Sequence, residues 1–259
     1  MAELLVLPTV IAYGEAALVY AGELRGHRRY DRLGIWGVRV GWLAQTALLV
    51  VQAARAEGFP WGSWAGSLNL FVWLVVGAYL IWGCRAPFRL LGLVVMPLAA
   101  VLFVVAWLSG GAGDGGGSEL GDIFLAFHVG LILAAFAGFT LAAGLAGLYL
   151  WQERRLKAHA PGVLRQRAPS QAALDALTGR TILVALPALT LGLVVGLARL
   201  GSEGGGFDAV MAVALLTWAA YAAFLLLRYE AGWRGRRTAY LALAAFSLVA
   251  VALVPVTHF

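Results

Sequence analysis

FHVGLILAAFAGFTLAAGLAGLYLWQERRLK, residues 127–157, carries no charged residue from Val129 to Gln152 and then meets Glu153, Arg154, Arg155 and Lys157 almost at once. About 20 mostly apolar residues, rising 1.5 Å each as a helix, cross the roughly 30 Å hydrocarbon layer of a bilayer. Within that layer no water satisfies a backbone amide, so the spanning structure is a helix or a closed barrel. The stretch therefore reads as a transmembrane helix ending in a basic cluster. Working outward from it, eight segments of this kind stand at 4–22, 34–53, 65–83, 90–109, 122–151, 180–200, 208–228 and 238–257.

Composition agrees. The 259 residues are 62% hydrophobic and 12% charged, with a mean hydropathy of +0.85, whereas a soluble domain is about 45–50% apolar and about 25% charged. So few charges do not cover a water-soluble globule, which sets aside a soluble enzyme and a nucleic-acid binder. The single cysteine, Cys84, excludes an internal disulfide and any paired-cysteine metal or redox motif. The first segment has no basic leader and holds Glu15 within its apolar run, so it reads as a retained span rather than a signal peptide. The expected fold is all-α, a polytopic membrane bundle of about eight transmembrane helices forming a single integral membrane domain over 1–259.

The loops set the orientation. Arg25, Arg28, Arg29 and Arg32 follow the first span, and Arg85 and Arg89 follow the third. Arg154, Arg155, Lys157, Arg165, Arg167 and Arg180 lie between the fifth and sixth, and Arg228, Arg234, Arg236 and Arg237 between the seventh and eighth. These sixteen face Arg55 and Arg199 on the other side, with Arg39 left inside the second span. By the positive-inside rule the basic side is cytoplasmic and both termini are extracytoplasmic. The +6 net charge thus describes a topology and not an affinity for nucleic acid.

That topology sorts the four histidines. His27 and His159 fall in basic cytoplasmic loops, where a solvated side chain is the plain reading. His128, about six residues inside the outer end of span 5, and His258, at the outer end of span 8, reach the same leaflet from distant parts of the chain. Two neutral imidazoles at one depth suit the axial ligation of a haem iron, one to each face; hydrogen bonds to carbonyls or headgroups are the alternative. Arg55 and Arg199 suit either haem propionates, which guanidinium binds bidentately, or snorkelling to headgroups. Trp61 and Trp64, with Phe59, suit either stacking on a porphyrin or an interfacial aromatic belt.

Within the spans, Glu15 and Arg39 stand at similar depth on adjacent antiparallel helices, so a buried ion pair is expected. It would serve as a structural clamp or in proton or ligand handling. Gln45 and Asn69 are expected to make interhelical hydrogen bonds, and Pro97 and Pro187 to kink spans 4 and 6. The Gly-rich outer loops at 109–121 and 201–207 lack a phosphate-loop ending. No catalytic constellation emerges, and no inverted repeat supports a transporter working through Glu15 and Arg39.

Several stretches resemble the CcsA/HemX-like cytochrome c assembly family. They are 127–157, quoted above, ALDALTGRTILVALPALTLGLVVG at 173–196, AGWRGRRTAYLALAAF at 231–246 and, less closely, WLAQTALLVVQAARAEGFPWGSW at 42–64. The resemblance implies a membrane protein that holds b-type haem at the outer face between two histidines flanking a Trp-rich motif, for cytochrome c maturation or haem delivery. His128 falls on the first such histidine, and His258 is the candidate for the second. The chain departs from the pattern elsewhere. SEGGGFDAVMAVALLTW at 202–218 keeps only Asp208 and Trp218 of the Trp-rich motif, and the intramembrane histidine positions hold Gln45 and Leu226. These departures point to the HemX-like branch rather than a full synthase. The alternative expectation is a non-catalytic regulator or scaffold of haem biosynthesis, docking a haem-biosynthesis enzyme or other assembly proteins through the basic segment 152–180.

Overall fold

The computed structural model describes residues 2–24, 31–55, 63–83, 89–110, 123–158, 169–203 and 209–253. Eight helices occupy them: α1 (Ala2–Leu24), α2 (Asp31–Arg55), α3 (Trp64–Gly83), α4 (Arg89–Leu108), α5 (Ile123–Lys157), α6 (Gln171–Glu203), α7 (Ala209–Tyr229) and α8 (Arg236–Ala252). Among the described residues there is no strand. Helices α1 to α7 are long and apolar enough to cross a membrane. The described part of α8 is 17 residues, about one turn short of a full crossing. The chain is a multi-pass membrane protein.

Two helices run well past the segments that hydropathy marks. Helix α5 extends to Lys157 and α6 begins at Gln171, so Arg154, Arg155, Lys157 and Arg180 lie on helices and not in a loop. Leu, Gln, Glu, Arg, Lys and Ala are all good helix formers, so the backbone keeps its period after the apolar composition ends. Pro97 and Pro187 each sit inside a continuous helix.

The chain divides into two compact units, residues 1–122 and 123–259. In the first, α1 packs on α2, α2 on α3, α3 on α4, and α4 returns to α1. The second repeats that order: α5 on α6, α6 on α7, α7 on α8, and α8 back to α5. Each unit is therefore a ring of four helices.

Small residues let these helices approach, as they must where lipid competes equally for apolar surface. A Cβ on Gly41 of α2 would come within 2.6 Å of the Tyr13 ring of α1, and one on Gly138 of α5 within 2.8 Å of Ala185 on α6. The opposite faces are apolar and bare. Leu4, Leu7, Ile11 and Leu18 line an exposed stripe of α1, and Val184, Leu191 and Val194 one of α6. Contiguous apolar surface on this scale is a lipid face.

The first unit's core is cross-linked by polar groups. Tyr13 Oη donates to Gln45 Oε1 at 2.7 Å, and Gln45 Nε2 donates to Asn69 Oδ1 at 2.8 Å. Asn69 Nδ2 donates in turn to Gln52 Oε1 at 3.3 Å. All four side chains are buried. The interhelical bonds expected of Gln45 and Asn69 are present, and they tie α1, α2 and α3 together.

The buried Glu15–Arg39 pair is not formed. Both side chains lie on exposed faces of their helices, and the Arg39 guanidinium sits 5.5 Å from the Trp36 ring centroid on its own helix. Side chains on neighbouring helices meet only where both project toward the shared contact, which depth alone does not reveal.

Candidate functional site

The site grows from one helix crossing in the second unit. On α6, Gly192 and Gly196 are one turn apart and share a face. A Cβ on Gly192 would lie 2.9 Å from Ile132 Cγ1 of α5, and one on Gly196 would collide with Cε1 of His128. The pair of glycines thus receives the pair Ile132 and His128, also one turn apart, so that two side chains of α5 lie directly on the α6 backbone. Only a residue without Cβ allows this at position 196.

This approach brings His128 Nδ1 to 2.7 Å from the Gly192 carbonyl oxygen. A carbonyl only accepts, so Nδ1 carries the proton, and the neutral ring keeps its lone pair on Nε2. The ring is half-buried, and among the described residues Nε2 has no partner. Metal-ligating imidazoles are commonly held in this way, with the second nitrogen donating to a backbone carbonyl that fixes tautomer and ring orientation. The ring also borders an apolar cleft of about 70 Å³, walled by Ile132, Leu193, Leu197, Met211 and Leu215 from α5, α6 and α7.

The donor chemistry fits one axial position of haem iron: a neutral imidazole, oriented, with its lone pair available beside an apolar surface. The cleft is well below the about 300–1,000 Å³ of pockets that enclose a ligand of drug size. It offers an apolar wall and does not enclose a macrocycle. Among the described residues no three His, Cys, Asp or Glu side chains gather as a metal-binding set, and His128 is the one histidine among those residues.

The other expected site residues fall as follows. Arg199 lies on α6 one turn beyond Gly196, placing its backbone at the same end of the second unit as His128. Arg55, exposed, ends α2, and Trp64, partly buried, begins α3; they belong to one end of the first unit. Trp61 and His258 lie outside the described residues, as do His27, His159 and Asp208.

The positions where the resemblance expected further histidines have their own structure. Gln45 is fully engaged in the buried network above, and Leu226 points outward from α7. Trp218, the surviving tryptophan of the reduced motif, donates from Nε1 to Thr190 Oγ1 at 2.9 Å, pinning α7 to α6.

Sequence reasoning passed over a second constellation at the opposite end of this unit. Asp175 Oδ1 accepts from Arg228 Nη1 at 3.0 Å, from the Gly235 amide at 2.9 Å and from the Thr238 hydroxyl at 2.9 Å. Its Oδ2 accepts from Arg228 Nη2 at 2.9 Å. One carboxylate at the start of α6 therefore holds the end of α7, the connecting turn and the start of α8. Gly179 leaves room for the Arg228 side chain to cross α6. Gly232 and Gly235 take φ values of +66° and +73°, a region open to glycine and strained for other residues. The string AGWRGRRT owes its two glycines to this turn. Asp175 within ALDALTGR was the available signal, but its partners lie more than fifty residues away in sequence.

Comparison with known proteins places these features in context. Residues 61–257 match the family model described as cytochrome C assembly protein. The chain is 28% identical over 229 residues to Protein HemX of Brevibacillus brevis, covering 86% of this chain and 84% of that protein. It is 26% identical over 268 residues to cytochrome c biogenesis protein CcsA of Gloeothece citriformis (strain PCC 7424), covering 84% and 82%. A shorter match, 41% identical over 81 residues, joins it to cytochrome c biogenesis protein CcsA of Prochlorococcus marinus (strain MIT 9312) and covers 30% of this chain and 26% of that one.

Proposed function

The chain belongs to the cytochrome c assembly protein family, and from that premise we propose that it holds haem at the outer membrane face for cytochrome c maturation or haem delivery. His128 is the ligand on which the reading rests. The observation that carries it is the 2.7 Å contact from His128 Nδ1 to the Gly192 carbonyl, which leaves the Nε2 lone pair available for iron. His258 is the second ligand of the proposed b-type, bis-histidine site. Arg199, on the same unit as His128, is the candidate for the propionates.

Bound haem would supply the vinyl groups and iron that maturation of a c-type cytochrome consumes. The chain's own task is positional. The α6 glycines seat the imidazole, the Gly192 carbonyl holds its proton on Nδ1, and the Leu193, Leu197, Met211 and Leu215 wall keeps water from one side. No residue is assigned a bond-making step, and the chain is read as a carrier in the bacterial cytoplasmic membrane.

A second reading has a specific observation behind it. The surviving Trp218 is committed to Thr190, which favours a HemX-like regulator or scaffold of haem biosynthesis. Deleting the gene and staining membranes for covalently bound haem separates the two. Loss of c-type cytochromes, restored by the wild-type gene and not by His128→Ala, supports the carrier. Unchanged c-type cytochromes with an altered output of haem-biosynthesis intermediates supports the regulator and overturns the carrier.

A further inference from the structure

The apolar outer faces of α1 and α2 are each broken by one charge. On α1 the exposed residues Leu4, Leu7, Ile11 and Leu18 recur three, four or seven apart, and exposed Glu15 stands four beyond Ile11 and three before Leu18. On α2 they are Leu33, Trp36, Val40, Leu43 and Val50, and exposed Arg39 stands three beyond Trp36 and four before Leu43. Residues at those spacings share one side of a helix. Both charges therefore project from apolar stripes and not into the ring of helices.

Their depth makes this costly. The spans of the two helices are Leu4–Gly22 and Leu33–Arg55, with Glu15 seven residues from Gly22 and Arg39 six from Leu33. At 1.5 Å per residue both lie about 10 Å from the edge where α1 passes to α2. Ionisable groups inside the hydrocarbon are rare there and pair with one another, and a guanidinium does not escape by giving up its proton. Among the described residues, however, Glu15 meets no cation and Arg39 no carboxylate. The Arg39 guanidinium rests instead 5.5 Å from the ring centroid of Trp36, on the outer stripe.

Sign and depth select what covers these two groups. The chain carries both signs at one level on helices that pack together. A two-fold axis along the membrane normal preserves depth and makes an interface self-complementary. About such an axis α1 of each copy meets α2 of the other, and each Glu15 stands level with the other copy's Arg39. The contact closes two ion pairs and leaves no charge over. A partner of different sequence would have to supply both opposite charges at that same level. Close approach is open as well, because nothing lies within 4 Å of where a Cβ on Gly14, next to Glu15, would stand, and small residues let membrane helices pack backbone to backbone.

We infer that two copies of the chain associate in the membrane through the outer faces of α1 and α2, with Glu15 of each copy paired to Arg39 of the other. The test uses full-length protein in phosphatidylcholine vesicles without haem, part carrying a donor dye and part an acceptor dye on the single cysteine, Cys84. Energy transfer is read at a protein-to-lipid ratio so low that copies which do not associate give none. The wild type transfers strongly, and Glu15→Gln or Arg39→Gln lowers transfer several-fold. Glu15→Arg and Arg39→Glu each transfer poorly alone, because like charges then face each other across the contact. Mixed, one as donor and the other as acceptor, they recover most of the wild-type transfer, since both ion pairs are restored between unlike copies. A fold defect in either variant is not repaired by mixing. Wild-type transfer no greater than that of non-associating copies overturns the inference. Undiminished transfer in either Gln variant also overturns it, and would leave that charge to the lipid headgroups. So does a mixture that fails to recover while circular dichroism shows wild-type helix content in both reversed variants; where that content is lost, the Gln variants decide.

Discussion

At the scale of single residues, the placement of His128 depends on two atoms that are absent, the Cβ carbons of Gly192 and Gly196. Sequence alone marked His128 as a candidate through its depth in an apolar helix, but it gave no reason why the ring should be oriented. That reason lies 64 residues away and has only the small-residue spacing of GLVVG as its trace. Gly196→Ala places a methyl group against the imidazole and drives it from the Gly192 carbonyl. Loss of such a supporting contact typically weakens metal binding about 10–100-fold. Haem affinity measured by titration is expected to fall by that factor in Gly196→Ala, with helix content unchanged. An affinity equal to wild type would separate the glycine from the ligand.

At the scale of helices, two polar clusters hold neighbours together, and each gives a distinct stability expectation. Asp175 and Arg228 expose only 13% and 10% of their side chains. Removing one member of such a pair leaves the other charge nearly buried, at a cost of about 3–5 kcal/mol. Asp175→Ala is therefore expected to destabilise the second unit by roughly that amount, measured by thermal unfolding in detergent. Discounting for residual exposure places the value at the lower end. Gln45→Leu strands the Tyr13 hydroxyl and removes the donor to Asn69 Oδ1. Interhelical hydrogen bonds in membranes average about 0.6 kcal/mol and reach about 1.7, so a loss of about 1–3 kcal/mol is expected in the same assay. Gln45 and Asn69 were legible as bonding partners because an amide in hydrocarbon has few other options. The Glu15–Arg39 pair was misread because helical phase decides which residues meet, and phase is poorly marked where both faces of a helix are apolar.

At the scale of the molecule, hydropathy read the all-helical fold nearly to its end. The helix count and the order of the segments follow from apolar length alone, and the errors fall where α5 and α6 continue into polar sequence. The grouping into two four-helix rings left no mark on composition, since small residues and buried amides set the neighbours and both are sparse. The charge asymmetry supplies a whole-molecule prediction. Reporter fusions at the N-terminus and C-terminus should both be active in the extracytoplasmic compartment, and a cysteine at Arg234 should react with membrane-impermeant reagents only after the membrane is opened. A cytoplasmic reporter active at either terminus would invert or break the topology, and with it the assignment of His128 to the outer face. The proposed role comes down to whether this ring binds iron, and the visible absorption spectrum of the purified, haem-loaded protein reads that directly. The wild type is expected to show the sharp Soret and visible bands of low-spin, bis-imidazole haem, and His128→Ala to lose them. An identical spectrum from His128→Ala at equal haem occupancy would contradict the proposal that this histidine holds the haem.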